Sequence, residues 1–526
     1  MPSVIRTICQ IASSLLICLL IICSTVVIWR TLSVQEQKPV CPIVGNEIAK
    51  PYQIEPIVGQ GASIERLQKA LSIRTITKAQ GIYDRNEILH FHRFLRENFP
   101  QIHSSPIVTL TIVNELSLLY KINGTNESLK PYMLLAHLDV VPVNVEQWTV
   151  PPFDGAIKNG SIYGRGAVDM KSALMGIMES LETILINGIT IERSFYIAIG
   201  HDEEGRGLDG ALQISKYMTE QKLNDVEFIL DEGLGIFQDM GGVNGNMATI
   251  GIAEKGLVYV KLSINGTTGH SSMPPKETTI LKLSRAVSKL HGHSHPNRFG
   301  DGPERDFVQS LAPYVNWPYR AVYSNLWLFS YVIGLVFQSD PKLNALIRTT
   351  SAVTIINGGL KDNIIPNYAE AIINHRIYPL SSVAEVLEND RRLIDDDEIN
   401  IETIGVPIEP APISPHDTDS FGYQIIRRSI GQTFPNVGII PGIMVASTDS
   451  RWYHNFTSNI YRFSPKYFSK KSISMIHGND ERISIDNYVR LVNFYQNVMI
   501  NANQATLPIQ IDACLANVYN LSYVID

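Results

Sequence analysis

The chain has 526 residues, 44% apolar and 18% charged, which is enough to bury a core over roughly two to four domains' length. A formal charge of −7, from 44 Lys and Arg against 51 Asp and Glu, excludes a protein held on nucleic acid by clustered basic charge. Five cysteines without a Cys-x-x-Cys pair exclude a disulfide framework and a structural zinc finger.

The first element is an apolar run from Ile8 to Trp29, 22 residues without a charge between Arg6 and Arg30. A spanning helix needs about 20 such residues, and the apolar core of a secretory signal about 7–15. The run predicts a signal-anchor helix, with a cleaved signal peptide as the other reading. The chain is then a single-pass type II membrane protein with a lumenal or extracellular body, or a secreted one. Asn-x-Ser/Thr triplets at Asn123, Asn126, Asn159, Asn265, Asn455 and Asn520 agree with passage through the secretory pathway as glycosylation acceptors. Cys41 and Cys514 are the cysteines outside the apolar run, either paired or two free thiols.

Polar, Pro-containing residues 31–55 read as a linker, and from about Glu65 the pattern is α/β. Glu87–Asn98 is an amphipathic helix. The apolar runs Tyr132–Ala136, Phe195–Gly200 and Val226–Leu230 predict buried parallel strands, with helices at Met170–Ile186 and Gly210–Gln221. Asn159-Gly160 predicts a hairpin turn within Phe153–Gly164. This order implies a mostly parallel sheet with helices on both faces.

From Leu257 a strand, a helix near Thr278–Leu290, strands at Ala352–Ile356 and Ala369–Ile377, a helix at Ser381–Leu393 and a strand at Ile399–Ile404 follow the ferredoxin-like β-α-β-β-α-β order. The expected domains are therefore 1–30 (signal-anchor or signal peptide), 31–55 (linker), 56–252 and 406–526 (two parts of one α/β domain), with an inserted α+β domain at 253–405. Within the insertion, Ala321–Gln338 is almost wholly apolar and reads as a buried or surface helix; an apolar surface for a greasy substrate is the sharper alternative.

The chemistry lies at the ends of the three predicted buried strands. Tyr132–Ala136 runs into His137-Leu138-Asp139, Phe195–Gly200 into His201-Asp202-Glu203-Glu204, and Val226–Leu230 into Asp231-Glu232-Gly233. Ligands bind in open α/β sheets at the carboxyl ends of strands. Carboxylates crowded there at low dielectric must neutralise or bind a cation. Histidine with carboxylates suits zinc or a similar divalent ion, and the excess of carboxylates suggests two ions sharing a bridge. Glu203 and Glu204, being adjacent, point apart, so that one can hold metal while the other serves as general base. Asp169, just before a predicted helix, would also serve as an N-cap. Gly205-Arg206-Gly207-Leu208-Asp209-Gly210 fits a dinucleotide-binding loop, but three acids precede it and would repel a pyrophosphate.

Ala136-His137-Leu138-Asp139-Val140-Val141-Pro142, Gly164 to Lys171, Gly200 to Gly205, Leu230-Asp231-Glu232-Gly233, Gly269-His270-Ser271-Ser272, Gly358 to Arg376, Thr448-Asp449-Ser450-Arg451 and Ile476-His477-Gly478 stand in the order of the signatures of peptidase family M20. The chain resembles that family of zinc aminoacylases and carboxypeptidases over residues 60–500, and within it the N-fatty-acyl-amino acid synthase/hydrolase and vacuolar carboxypeptidase S branches. The resemblance implies two zinc ions. His137 and Asp231 would hold one, Glu204 and His477 the other, and Asp169 would bridge them. Glu203 would be the general base and Asp139 would orient His137. His270, from this chain or a partner subunit, would stabilise the oxyanion, and Asn363 and Arg376 would contact the substrate carboxylate or oxyanion. The implied activity is cleavage, or reverse formation, of the amide bond of N-fatty-acyl amino acids. The alternative is release of C-terminal amino acids from short peptides; a metal-binding ectodomain without catalysis is a third reading. The resemblance also implies a homodimer through the inserted lid domain.

Overall fold

A computed structural model describes residues 2–34, 61–223, 225–292 and 295–503. The expectations for most of the linker, for Cys41 and Cys514, and for Asn520 lie outside these residues. The other five acceptor asparagines sit at exposed or, for Asn126, half-buried positions.

Helix α1 (Pro2–Ser33) includes Ile8–Ser33, long and apolar enough to cross a membrane and compatible with a signal anchor or a signal peptide. The body is built on an eight-stranded mixed sheet. Its strands in chain order are β1 (Val108–Val113), β2 (Ser117–Ile122), β3 (Tyr132–His137), β4 (Phe195–Gly200), β5 (Ile229–Gln238) and β6 (Asn246–Glu254), joined later by two C-terminal strands. β3 and β4 are buried at every residue, which explains their unbroken apolar sequences: both faces of the sheet are covered.

After β6 the chain crosses at Lys255 into a second sheet of β7 (Gly256–Asn265), β8 (Thr350–Gly358), β9 (Tyr368–Ile377) and β10 (Asn400–Ile408). The spatial order is β8-β9-β7-β10, all antiparallel. The first helix after β7 and the helix between β9 and β10 complete the ferredoxin-like arrangement, and further helices are inserted before β8. The chain then returns through β11 (Val437–Met444) and β12 (Ile460–Phe468), giving the main sheet the order β11-β6-β12-β5-β3-β4-β2-β1.

The helices that matter below are α2 (Lys171–Ile186), α3 (Ala211–Glu220), α4 (Thr279–Gly292), α5 (Tyr319–Tyr323), α6 (Leu326–Ser339), α7 (Val383–Ile394), α8 (Phe421–Thr433) and α9 (Ile485–Asn501). α2 is buried along almost its whole length, and α9 packs on it so closely that a Cβ on Gly176 would lie 2.1 Å from Leu491 Cδ2. Only glycine permits that approach. Asn159 and Gly160 both have positive φ, as a two-residue hairpin turn between right-twisted strands requires.

Three expectations are corrected, and one strand went unforeseen. The strand expected at Val226–Leu230 begins at Ile229 and continues to Gln238, so Asp231 and Glu232 lie inside it. Its ladder with β12 is interrupted: Asp231 pairs with Arg462 but Leu234 with Phe463, leaving Glu232 and Gly233 as a bulge. The apolar stretch Ala321–Gln338 is not one helix; it breaks at Ser324-Asn325 between α5 and α6. Asp169 does not cap α2, whose N-cap is Met170 without a side-chain bond. β12 was not foreseen, because Arg462, Pro465 and Lys466 interrupt its apolar pattern.

Candidate active site

β5, β3 and β4 lie side by side and parallel, so their carboxyl ends share one edge of the sheet. His137 is the last residue of β3 and is 1% exposed. Its Nδ1 donates to the Asp139 carbonyl oxygen (3.0 Å), which turns Nε2 toward the acids. That Nε2 faces Asp169 Oδ1 at 3.1 Å and Glu232 Oε1 at 3.4 Å. The other Asp169 oxygen, Oδ2, lies 3.1 Å from His477 Nε2, and the same nitrogen lies 3.2 Å from Glu204 Oε2. Asp169 thus offers one oxygen to each of two His-carboxylate pairs. Atoms bound about 2.0–2.2 Å from one tetrahedral ion stand about 3.3 Å apart, close to these separations. Glu204 Oε1 is buried without a hydrogen-bond partner.

Glu203 lies on the short turn after β4. The Asp139 carboxylate accepts from the backbone amides of Glu203 (3.1 Å) and Glu204 (3.2 Å), so Asp139 holds that turn as well as His137. Glu203 Oε1 accepts from Arg451 Nη2 at 3.2 Å. Asp169 is held in turn by Glu481, fully buried, which accepts from the amides of Val168 (2.6 Å), Asp169 (3.0 Å) and Gly166 (3.2 Å) and from Arg165 Nη1 (2.6 Å). Arg165 Nη2 also donates to the His477 carbonyl oxygen (3.1 Å), tying the His477 loop to the same clamp.

Burial, and next the nearby Asp169 charge, raises both Glu204 and Glu232 to about 8. Burial also raises Glu203, against the opposing pull of Arg451. Hydrogen bonds to Asp169 and Glu204 raise His477 to about 10. Burial disfavours a charged His137, yet the Glu232 charge and its acid partners hold its pKa well above the usual range. The histidines thus carry protons where the carboxylates need positive charge, the electrostatics of a cation site.

The structure brings together His137, Asp169, Glu203, Glu204, Glu232 and His477. Asp231, expected beside His137, is turned the other way: its carboxylate accepts from the amides of Glu232 and Ser450, each at 2.8 Å. The bulge is the reason. Adjacent strand residues face opposite sides, and Gly233, whose Cβ would lie 2.7 Å from Arg462 Cβ, lets the backbone swing Glu232 toward His137. His201 and Asp202 also turn away. His201 meets Ser117 Oγ (2.7 Å), and Asp202 accepts from the amides of Asp209 (2.9 Å) and Gly210 (2.7 Å) in the glycine-rich turn.

Arg376, on β9, reaches this side of the body, with Nη1 donating to Ser447 Oγ (3.0 Å) and the charges of Arg451, Glu254 and Glu203 nearby. His270 and Asn363, both exposed, belong to a small pair of strands, Gly269–His270 and Ile364–Ile365, and its flank. His270 Nδ1 meets Ser272 Oγ (2.7 Å), and the Asn363 carbonyl oxygen accepts from the Ser271 amide (3.2 Å). The structure shows these two contacting each other's strands and not the carboxylate cluster. Glu481, Arg165, Arg451 and the role of Glu232 had no signal in spacing or periodicity. A separate buried group, His295, His375 and Asp390, joins β9, α7 and the segment after α4. His375 Nε2 lies 3.0 Å from Asp390 Oδ2, and burial, then the neighbouring His375, lowers His295 to about 4.

The family description Peptidase family M20/M25/M40 matches residues 133–501. An N-fatty-acyl-amino acid synthase/hydrolase, PM20D1.1 of Danio rerio, is 41% identical over 447 residues, 85% of this chain and 86% of the relative. The Probable carboxypeptidase S-like 2 of Dictyostelium discoideum is 41% identical over 446 residues, 84% and 85% of the two chains. The crystal structure of the M20 family metallo-carboxypeptidase Sso-CP2 from Sulfolobus solfataricus superposes with a TM-score of 0.62 at 18% identity, covering 84% of this chain and 99% of that one, and shows the shared fold. On the match over most of its length and on these relatives, the chain belongs to peptidase family M20/M25/M40.

Proposed function

We propose that this protein is a di-zinc amidohydrolase that cleaves, and by microscopic reversibility can form, the amide bond of N-fatty-acyl amino acids. The observation that carries the reading is Asp169 set between His137 and His477, with Glu232 and Glu204 beside them and Glu203 hydrogen-bonded to Arg451. His137, Glu232 and Asp169 would hold one ion; His477, Glu204 and Asp169 the other. The pair would supply Lewis-acid polarisation of the amide carbonyl and a more acidic water. Glu203 accepts a proton from the attacking water and delivers it to the leaving amine. Arg451, on Glu203 Oε1, keeps that carboxyl in position. Arg376 suits the free carboxylate of the amino-acid half, because guanidinium binds carboxylate through two parallel hydrogen bonds. His270 and Asn363 join the site when the lid closes or a partner subunit supplies them, a homodimer being the proposed assembly. The proposed domains are an N-terminal anchor or signal peptide at 1–30, a linker at 31–55, a catalytic body in two parts, 56–252 and 406–526, and the lid at 253–405. The described acceptor asparagines are proposed glycosylation sites on the lumenal or extracellular side.

The fatty-acyl substrate is supported by relatives that carry that activity in their names. The Dictyostelium relative, at equal identity, favours a second reading, release of C-terminal amino acids from short peptides. The test is hydrolysis of N-oleoyl-phenylalanine and of a blocked dipeptide by the full chain in detergent, with metal content measured on the same sample. About two zinc ions with fast oleate release is expected. Two ions with dipeptide cleavage alone would move the assignment to the peptidase, and a folded chain that binds no metal would overturn the site.

A further inference from the structure

Helix α6 is apolar on two faces. Leu326, Ile333 and Phe337 face inward and pack with Val308 and Ile347. Trp327, Leu328, Tyr331, Val332, Leu335 and Val336 recur at helical spacing on the other side and are all exposed, Tyr331 by 78% and Val336 by 57%. No charged residue lies between Arg320 and Asp340. An exposed apolar stripe without a charge is unusual on a helix that faces water and marks a contact surface.

The structure also indicates what covers it. The end of α1 is fastened to the break between α5 and α6. Arg30 Nε donates to the Ser324 carbonyl oxygen (3.0 Å), and the buried Asn325 Nδ2 donates to the Val27 carbonyl oxygen and Thr31 Oγ1, each at 3.3 Å. The uncharged run of α1, Ile8 to Trp29, is 22 residues long. At about 1.5 Å per residue it matches the hydrocarbon core of about 30 Å, so its last turns, ending at the charged Arg30, lie at the lipid–water boundary. Those turns carry Val27, Arg30 and Thr31, so α6 starts at that boundary. Trp317, Tyr319, Trp327 and Tyr331 are exposed in the same segment, and such aromatics favour the membrane interface.

We propose that the end of α1 and the outer stripe of α6 form one lipid-facing surface, with the stripe seated in the interfacial zone of the bilayer that α1 enters. The body is then held by two contacts, one spanning and one lying on the membrane. The inference rests on packing, exposure and the N-terminal anchor proposed above, and is independent of the proposed chemistry.

The test uses the full chain in phosphatidylcholine vesicles with or without a nitroxide high on the lipid acyl chain. Trp29, within α1, is first changed to Phe so that the spanning helix contributes no signal. The Trp29→Phe chain should show nitroxide-dependent quenching of its remaining tryptophans. Adding Trp317→Phe and Trp327→Phe should remove most of that quenching with only a small drop in melting temperature, because both rings are largely exposed and the pair of changes gives up one hydrogen bond, from Trp327 Nε1 to Asn325 Oδ1 (3.2 Å). A chain that floats with the vesicles but shows no such quenching would overturn the proposal. So would cross-linking of two copies through α6 without quenching, which would assign the stripe to a protein interface.

Discussion

Glu203→Gln separates the proposed base from the metal cluster it adjoins. The side chain keeps its shape and loses one proton-accepting charge. Its backbone amide remains on Asp139 (3.1 Å), so the Glu203–Glu204 turn should not move. Burial already disfavours the Glu203 carboxylate, and its partner Arg451 keeps Asp449 Oδ1 at 3.9 Å. Loss of the ion pair and relief of the buried charge therefore oppose each other, and the stability change should stay within about 1 kcal/mol. Catalysis should not be spared. A positioned general base contributes about 10²–10⁴-fold, or about 2.7–5.4 kcal/mol of barrier. The expected result is turnover of N-oleoyl-phenylalanine down by on the order of 100-fold or more, with metal content and melting temperature near those of the parent. Unchanged turnover in a metal-replete variant would refute the assignment of Glu203 as base.

Glu232→Gln should lose one of two metal ions, whereas Asp231→Asn should weaken metal affinity by only about 10–100-fold, as expected of a residue that supports a ligand; the reverse ranking by metal analysis would restore Asp231 as the ligand. Glu204 and Glu232, raised to about 8, and His477, raised to about 10, must shed protons to bind a cation, so affinity should rise with pH through neutrality and level off only near pH 10. Calorimetry in buffers of different ionisation enthalpy should show proton release on zinc binding at pH 7, and no release would contradict this. Arg376→Ala should raise KM by about 10–100-fold for substrates with a free carboxylate, from the loss of about 1.5–3 kcal/mol in charged hydrogen bonds, and leave carboxyl-capped analogues unaffected. Gly176→Val should destabilise the chain by about 1–3 kcal/mol in denaturant melts, since its Cβ would press on Leu491.

Much of the site was legible because strand and function share a signal. An apolar run that ends in His137 or in Glu203-Glu204 states both that a buried strand stops there and that charge collects at its end. His477 had no such mark. It sits in a loop with positive φ and is half exposed, and only the family resemblance pointed to it. Glu481 was silent for another reason: its partners lie more than 300 residues away in the chain, and no local pattern encodes them. β12 was masked by its own buried ion pair, since Arg462 bonds Glu254 at 2.6 Å inside the sheet and reads in sequence as a surface residue.

By itself the amino-acid order determined the α/β body, the inserted β-α-β-β-α-β unit, the apolar N-terminal helix and the acid clusters at strand ends, because each is a local periodicity or a short-range spacing. The tertiary structure decided which carboxylate faces which histidine. The choice between Asp231 and Glu232 depends on a two-residue bulge against a strand more than 200 residues later, and adjacent residues in a strand necessarily point apart. It also decided the fate of the apolar segment around α6, since hydropathy reports that a residue avoids water but not whether core, lipid or another chain replaces it.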